Sequence, residues 1–208
     1  MKYLVAFIGL CGVAAGLYLL RRPSIPSGAS TPALLFDLML VVLFGLQHSG
    51  LAGRVSRAVF VSTTGIGLVL IAILWRDSGP IIWQLPFWLS VTMALLGSTI
   101  TAIAAFSLNA RELLGLRDEG SNPEFREPIL HRYVRHPIYA GSILVFVAVP
   151  VMTADRMLFA VGMTIYILIG IQFEERKLLR LLGPVYSDYR RRVPMLLPWP
   201  KRLLPYSS

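Results

Sequence analysis

Apolar residues in this chain come in long runs rather than in alternation or short helical stripes. Six runs approach the roughly 20 residues that an α-helix needs to cross a bilayer. They cover 3–20, 33–48, 59–75, 87–108, 138–152 and 157–173. The pattern predicts an all-α polytopic membrane protein of about six helices, or five if the first run is removed as a signal. That run lacks a clear small-x-small cleavage site, and Leu10 before Cys11 makes a poor lipoprotein box, so we read it as a retained helix. The fifth run is short for a span, which calls for tilt or local thinning. It should form a hairpin with the sixth across the turn "TADR". Asp37 and Asp155 read as helix-end residues.

Polar positions concentrate in two places, the loop 109–137 and the tail after Glu174. With both termini in the cytoplasm, sixteen of the twenty Lys and Arg residues fall on the inner side. The excess of positive charge therefore orients the chain. Only the pair Arg21–Arg22 runs against it. The expected setting is a multi-pass protein of a bacterial inner membrane with its chemistry facing the cytoplasm. Residues 1–108 would supply transmembrane helices and 109–208 a cofactor-binding region, together forming one integrated domain.

Composition narrows the partners. The chain is 55% hydrophobic and 15% charged, with a mean hydropathy of +0.65, too apolar for a soluble domain of 208 residues. Its net charge of +9 fits anionic lipid at the inner leaflet rather than nucleic acid. The single Cys11 excludes an internal disulfide or a cysteine metal cluster, and His48, His131 and His136 supply a metal site poorly, so no metal is expected.

Two polar stretches carry candidate chemistry. In "HRYVRHPIYAG" (131–141), Pro137 suits the first position of a helix and places His136 at its cap. The N–H groups of that first turn, with Arg132 and Arg135 nearby, offer a place for a carboxylate or phosphate. The same residues also suit a plain interface anchor. In "IQFEERKLLRLLGPVYSDYRRRVP" (171–194), Glu174 and Glu175 lie where the sixth helix leaves the hydrocarbon. A paired acid there must face protein, water or a cationic ligand. Tyr166, Gly170 and Glu174 share one helix face by their spacing of four. The helix should end at Gly183, with Pro184 starting a short one that aligns Tyr186, Tyr189 and Val193. A ligand bearing a carboxylate, an amine, a sulfonium and an adenine would match these groups.

The stretches "RHPIYAG" and "EERKLLRLLGPVYSDYRRRVP", in this order, resemble the signature of the integral-membrane methyltransferases, the isoprenylcysteine carboxyl methyltransferase and phospholipid methyltransferase superfamily. The match covers about 125–198, a third of the chain. Upstream, "LQHSGLAGR" (47–54), "ELLGLRD" (112–118) and the ending "VPMLLP" are similar to the NnrU-type branch that includes methanethiol S-methyltransferases. The resemblance implies S-adenosyl-L-methionine as cofactor. It places His131, His136, Pro137, Ile138, Tyr139, Tyr186 and Tyr189 around that cofactor, with Glu175 or Glu174 holding its polar end. Glu174, Arg135 and His48 are the catalytic candidates, and Gln47, His48 and Tyr166 the substrate-side ones.

Two departures qualify the match. Many relatives have tyrosine where this chain has His131. The lead-in typical of isoprenylcysteine enzymes is replaced by "FREPILHRY", which argues against a prenylated acceptor. The expected activity is methylation of a small thiol such as methanethiol. Other readings are methylation of an isoprenylcysteine carboxyl or a phospholipid amine, a non-catalytic NnrU-type membrane factor, and an NADPH-dependent membrane reductase. The last usually carries Asn where Ile138 stands.

Overall fold

The computed structural model describes residues 30–107 and 127–198. It is built almost entirely of helices: α1 (Thr31–Leu51), α2 (Arg57–Leu74), α3 (Phe87–Ser107), α4 (Pro137–Val147), α5 (Ala154–Leu182) and α6 (Pro184–Arg192). A 3₁₀ turn, Ile129–Arg132, precedes α4, and two short strands, β1 (Ile81–Gln84) and β2 (Val151–Thr153), pair antiparallel. By length and composition, α1, α3 and α5 can each cross a membrane, while α2 and α4 are shorter apolar helices. The chain is thus a helical membrane protein with three such spans among its described residues. The apolar run 3–20 and the stretch "ELLGLRD" lie outside the described residues.

Local chemistry explains most helix ends. Ser56 caps α2 by accepting the Val59 N–H at 3.4 Å. Pro137 opens α4 and Pro184 opens α6, where a missing N–H costs nothing. Gly183, with φ 55°, makes the left-handed bend between α5 and α6.

The expected helix over 138–152 stops early, at Val147. Pro150 cannot continue a helix and restricts the residue before it. The freed carbonyls find other donors: Ser90 Oγ reaches Ala148 O at 2.7 Å, and Leu85 N reaches Pro150 O at 2.9 Å. The chain then extends into β2 against β1, so in place of the anticipated "TADR" turn Thr153 ends the strand and Ala154–Arg156 begin α5. The helix over 157–173 begins three residues earlier, at Ala154, and runs on past the apolar run to Leu182, where Gly183 ends it as expected. At about 1.5 Å per residue, α5 runs about 43 Å, well beyond a hydrocarbon core of about 30 Å. Its last turns therefore carry Glu174 and Glu175 out of the apolar layer.

The apolar core joins Val41 and Phe44 of α1, Ile71 of α2, Val145 of α4, and Phe159 and Met163 of α5, with Trp75 and Met152 beside them. Its end near the strands is polar and closed. Trp75 Nε1 donates to Asp155 Oδ2 at 3.1 Å, and Arg156 Nη1 donates to Val151 O at 3.0 Å. Asp155 does sit in the first turn of α5. Asp37 does not mark a helix end: it lies in the second turn of α1, fully buried, and accepts the Arg76 N–H at 3.0 Å.

Helices α3 and α4 cross where Gly97 faces Gly141, a contact of backbone on backbone. A Cβ built at Gly97 would stand 2.7 Å from the Gly141 carbonyl oxygen, which is backbone and cannot step aside. Close approach of backbones at small residues is the usual way helices pack in lipid. Replacing Gly97 with Val should therefore destabilise the protein by about 1–3 kcal/mol through overpacking. The check is a lower thermal midpoint in detergent, set against Gly50→Ala, where an added Cβ meets nothing within 4 Å.

Candidate active site

Glu175 is the organising residue. It sits in the penultimate full turn of α5 and is only 3% exposed. Its Oε1 accepts from Arg135 Nε at 2.7 Å and His136 Nε2 at 3.1 Å, and its Oε2 lies 3.2 Å from Arg190 Nε. Three cationic or donor groups from two separate segments thus meet one buried carboxylate. Arg135 extends the joint: its Nη1 donates to the carbonyls of Val193 at 2.6 Å and Arg190 at 3.0 Å. The backbone completes it, with Arg135 N bonded to Pro194 O and His136 N to Met195 O. The tail after α6 is therefore laced to the residues that open α4.

Glu174, one position earlier, points elsewhere. Its side chain is 44% exposed and accepts the Tyr139 hydroxyl at 3.1 Å, with His136 Nδ1 3.9 Å away. The rings of His136 and Tyr139 stack at 5.7 Å between centroids, 24° from parallel. A carboxylate, two stacked rings and the N-terminal end of α4 thus share one spot. The first N–H groups of any helix lack partners within it.

Tyr186 and Tyr189 lie beneath this layer. They are buried with Val193 against Leu178, Leu179 and Leu182, so they form the hydrophobic seat of the tail. Tyr189 also donates its hydroxyl to His131 O at 2.7 Å. Burial first, then the negative charge of Glu175, pushes the Tyr186 phenol up to about 12. Burial and the neighbouring Tyr186 push Tyr189 up as well. Both stay protonated at any working pH. His131 is buried, and its Nδ1 has no hydrogen-bond partner among the described residues. Burial, then the nearby His136, lowers its pKa from 6.5 and keeps it neutral.

A second polar cluster lies deeper, between α1, α2 and α5. His48 Nδ1 meets Thr64 Oγ1 at 2.9 Å, and its ring packs among Phe44, Phe60 and Tyr166. Tyr166 pairs through its hydroxyl with Ser49 Oγ at 3.1 Å. Gln47 faces α2 one turn further on, its Oε1 and the Phe44 ring both near Gly67, and both its amide atoms are buried without a partner among the described residues. Among the described residues, no group of three His, Cys, Asp or Glu side chains is placed to hold a metal.

Comparison with known proteins gives this geometry its context. The chain is 34% identical to methanethiol S-methyltransferase 1 of Bradyrhizobium diazoefficiens over 95% of its own length and 79% of that protein. It is 37% identical to the methanethiol S-methyltransferase of Mycobacterium tuberculosis, covering 82% of this chain and 80% of that one. The chain belongs to the methanethiol S-methyltransferase family. More distantly, Nurim of Xenopus laevis is 29% identical over 63% of this chain and 57% of its own length. No family model and no solved structure matches.

Within this family member, the structure gathers Arg135, His136, Tyr139, Glu174 and Glu175 into one layer, and His48 of α1 and Tyr166 of α5 into another. Pro137 and Ile138 open α4 beside the first layer, and the Ile138 carbonyl accepts from Ser142 Oγ at 2.9 Å. Sequence reasoning missed Arg190, Ser49, Thr64 and Phe60. Ser49 adjoins His48 in "LQHSG", but nothing in the spacing singles out Thr64 or chooses Arg190 from three consecutive arginines.

Removing the Glu175 carboxylate leaves Arg135 buried without a counter-charge, a loss of about 3–5 kcal/mol. Glu175→Ala should free the tail, seen as faster proteolysis within 183–198 than in wild type. A second test concerns pH. The folded-state pKa of His131 is depressed, so its contribution to stability is full above the unfolded value of 6.5 and fades as pH falls toward the lower folded value. His131→Gln should therefore lose less stability than wild type between pH 7 and pH 5 in thermal melts.

Proposed function

We propose that this protein is an integral-membrane methyltransferase that moves a methyl group from S-adenosylmethionine to a small thiol, methanethiol above all. The observation that carries this reading is the pair of adjacent glutamates with opposite roles. Glu175 is consumed in holding the fold, whereas Glu174 stands half open beside the start of α4, in a chain related through most of its length to methanethiol methyltransferases.

The residues present suit the donor. Its amine would meet the Glu174 carboxylate and its carboxylate the N-terminal turn of α4 at Pro137–Tyr139. The stacked His136 and Tyr139 rings offer a face for its sulfonium or its adenine. The orphaned His131 Nδ1 supplies a buried hydrogen-bonding atom near this layer. When bound, S-adenosylmethionine would supply an electrophilic methyl on a sulfonium whose neutral thioether is the leaving group.

The chain's own contribution is placement, dehydration and one proton. His48 and Tyr166, held by Thr64 and Ser49, form the acceptor side within the apolar layer, where a small thiol partitions readily. Glu174, on the helix face that also carries Tyr166, takes the thiol proton, because the thiolate is the nucleophile. Arg135 is a positioning residue, its guanidinium already committed to Glu175 and two carbonyls. In this reading Gln47 supports the α1–α2 contact, and Tyr186 and Tyr189 support the cofactor layer from below. The basic inner face puts the site toward the cytoplasm, reached by the cofactor from water and by the thiol from the bilayer.

Calorimetry with S-adenosylmethionine and NADPH on detergent-purified protein tests the proposal. S-adenosylmethionine should bind, NADPH should not, and Glu174→Gln should weaken the binding by about 10- to 100-fold through loss of a charged hydrogen bond. Mass spectrometry of the volatile products should then show methanethiol converted to dimethyl sulfide. NADPH binding in place of S-adenosylmethionine would move the protein to the membrane reductases.

A further inference from the structure

A glycine inside a helix costs stability relative to alanine, so each one asks for a reason. Most glycines inside the membrane helices have one. A Cβ at Gly45 would strike the Tyr166 ring at 3.1 Å, at Gly67 the Phe44 ring at 3.1 Å, and at Gly162 the Val41 side chain at 3.1 Å. Gly97 and Gly141 meet each other's backbone. Gly170 differs. It lies well inside α5, yet a Cβ built on it meets nothing within 4 Å among the described residues.

Its position gives the empty space a meaning. Gly170 is four residues from Tyr166 and four from Glu174, on the face those two share. At about 1.5 Å per residue it stands about 6 Å along the helix from each. One end of this face holds the Tyr166–Ser49 hydroxyl pair and the His48 ring. The other end holds Glu174 with Tyr139. The space at Gly170 is therefore the step between the acceptor layer and the donor layer. Helix α1, which packs on α5 at Gly45 and Gly162, ends at Leu51, just past Ser49.

We infer that Gly170 determines acceptor size: the bare backbone there forms a notch that takes the alkyl group of a small thiol, with the thiol sulfur directed toward Glu174. This rests on the proposed methyl transfer and adds a residue and a dimension to it. In the step, the thiol S–H loses its proton to the Glu174 carboxylate, the sulfur forms its bond to the transferred methyl, and that methyl's bond to the donor sulfur breaks. A Cβ at position 170 shortens the notch by one carbon.

The first experiment compares kcat/KM across methanethiol, ethanethiol and propanethiol. Gly170→Ala should lower the ratio of propanethiol to methanethiol by about tenfold, the discrimination expected of one methylene in an apolar pocket. Gly170→Leu should abolish thiol methylation. Gly170→Ala should fold and bind S-adenosylmethionine as wild type does by calorimetry, since one added carbon has room.

The second experiment needs no turnover. Cys11 is the only cysteine, so Cys11→Ser with Gly170→Cys gives one thiol to probe. Methyl methanethiosulfonate should convert that thiol to its methyl disulfide with release of methanesulfinate, and dimethyl sulfide should slow the reaction. Wild type active on thiols, with an unchanged acceptor profile in Gly170→Ala, overturns the inference alone. So does a thiol introduced at position 170 that the reagent cannot reach. A wild type that methylates no thiol at all overturns the underlying reading as well.

Discussion

One buried negative charge holds the working end of this protein together. A carboxylate as enclosed as that of Glu175 is tolerable only when its partners match it closely, and here Arg135, His136 and Arg190 do so from different segments. Because these partners precede α4 and lie in α6, the single group on α5 fixes three pieces of chain at once. Arg135 then spreads the constraint by taking two backbone carbonyls of the tail. The arrangement leaves Glu174, the next residue, half exposed, with the Tyr139 hydroxyl as its hydrogen-bond donor. A chain with one glutamate here would have to choose between holding its shape and meeting a ligand.

The apolar half obeys a different logic. In lipid, helices gain little from hiding apolar surface from one another, so their contacts depend on close backbone approach and on polar atoms with few other partners. The Gly97–Gly141 crossing supplies the first. Ser90 on the Ala148 carbonyl, and Thr101 on the Ile138 carbonyl at 3.4 Å, supply the second. Both bonds run from α3 to the ends of α4, a helix of eleven residues that could not hold its place by length. The start of α4, beside the Glu174–Glu175 pair, is thus set by its neighbours as much as by Pro137.

Much of this was legible in the sequence. Runs of apolar residues located α1, α2, α3 and α5 to within a few positions at most of their ends, and Pro137, Gly183 and Pro184 marked helix boundaries by their own backbone chemistry. Spacing alone put Tyr166, Gly170 and Glu174 on one face. The strands were not legible, because β2 is three residues beside an apolar run and owes its form to β1, about seventy positions away. Nor could spacing divide the work between Glu174 and Glu175. Adjacent residues on a helix point about 100° apart, and which of them turns inward depends on where α6 folds back. The same holds for Tyr186 and Tyr189: their shared face was visible, but not that it would be buried against Leu178, Leu179 and Leu182.

The two strands also bear on how α5 can move. They pin its N-terminal end beside the Trp75–Asp155 and Asp37–Arg76 bonds, at the opposite end from Glu174. About 30 Å of helix separates that anchor from Glu174, and the Glu175 joint ties this other end to the residues that open α4. Helix α5 is thus clamped at both ends, and Tyr166 and Gly170 lie on the span between the two clamps.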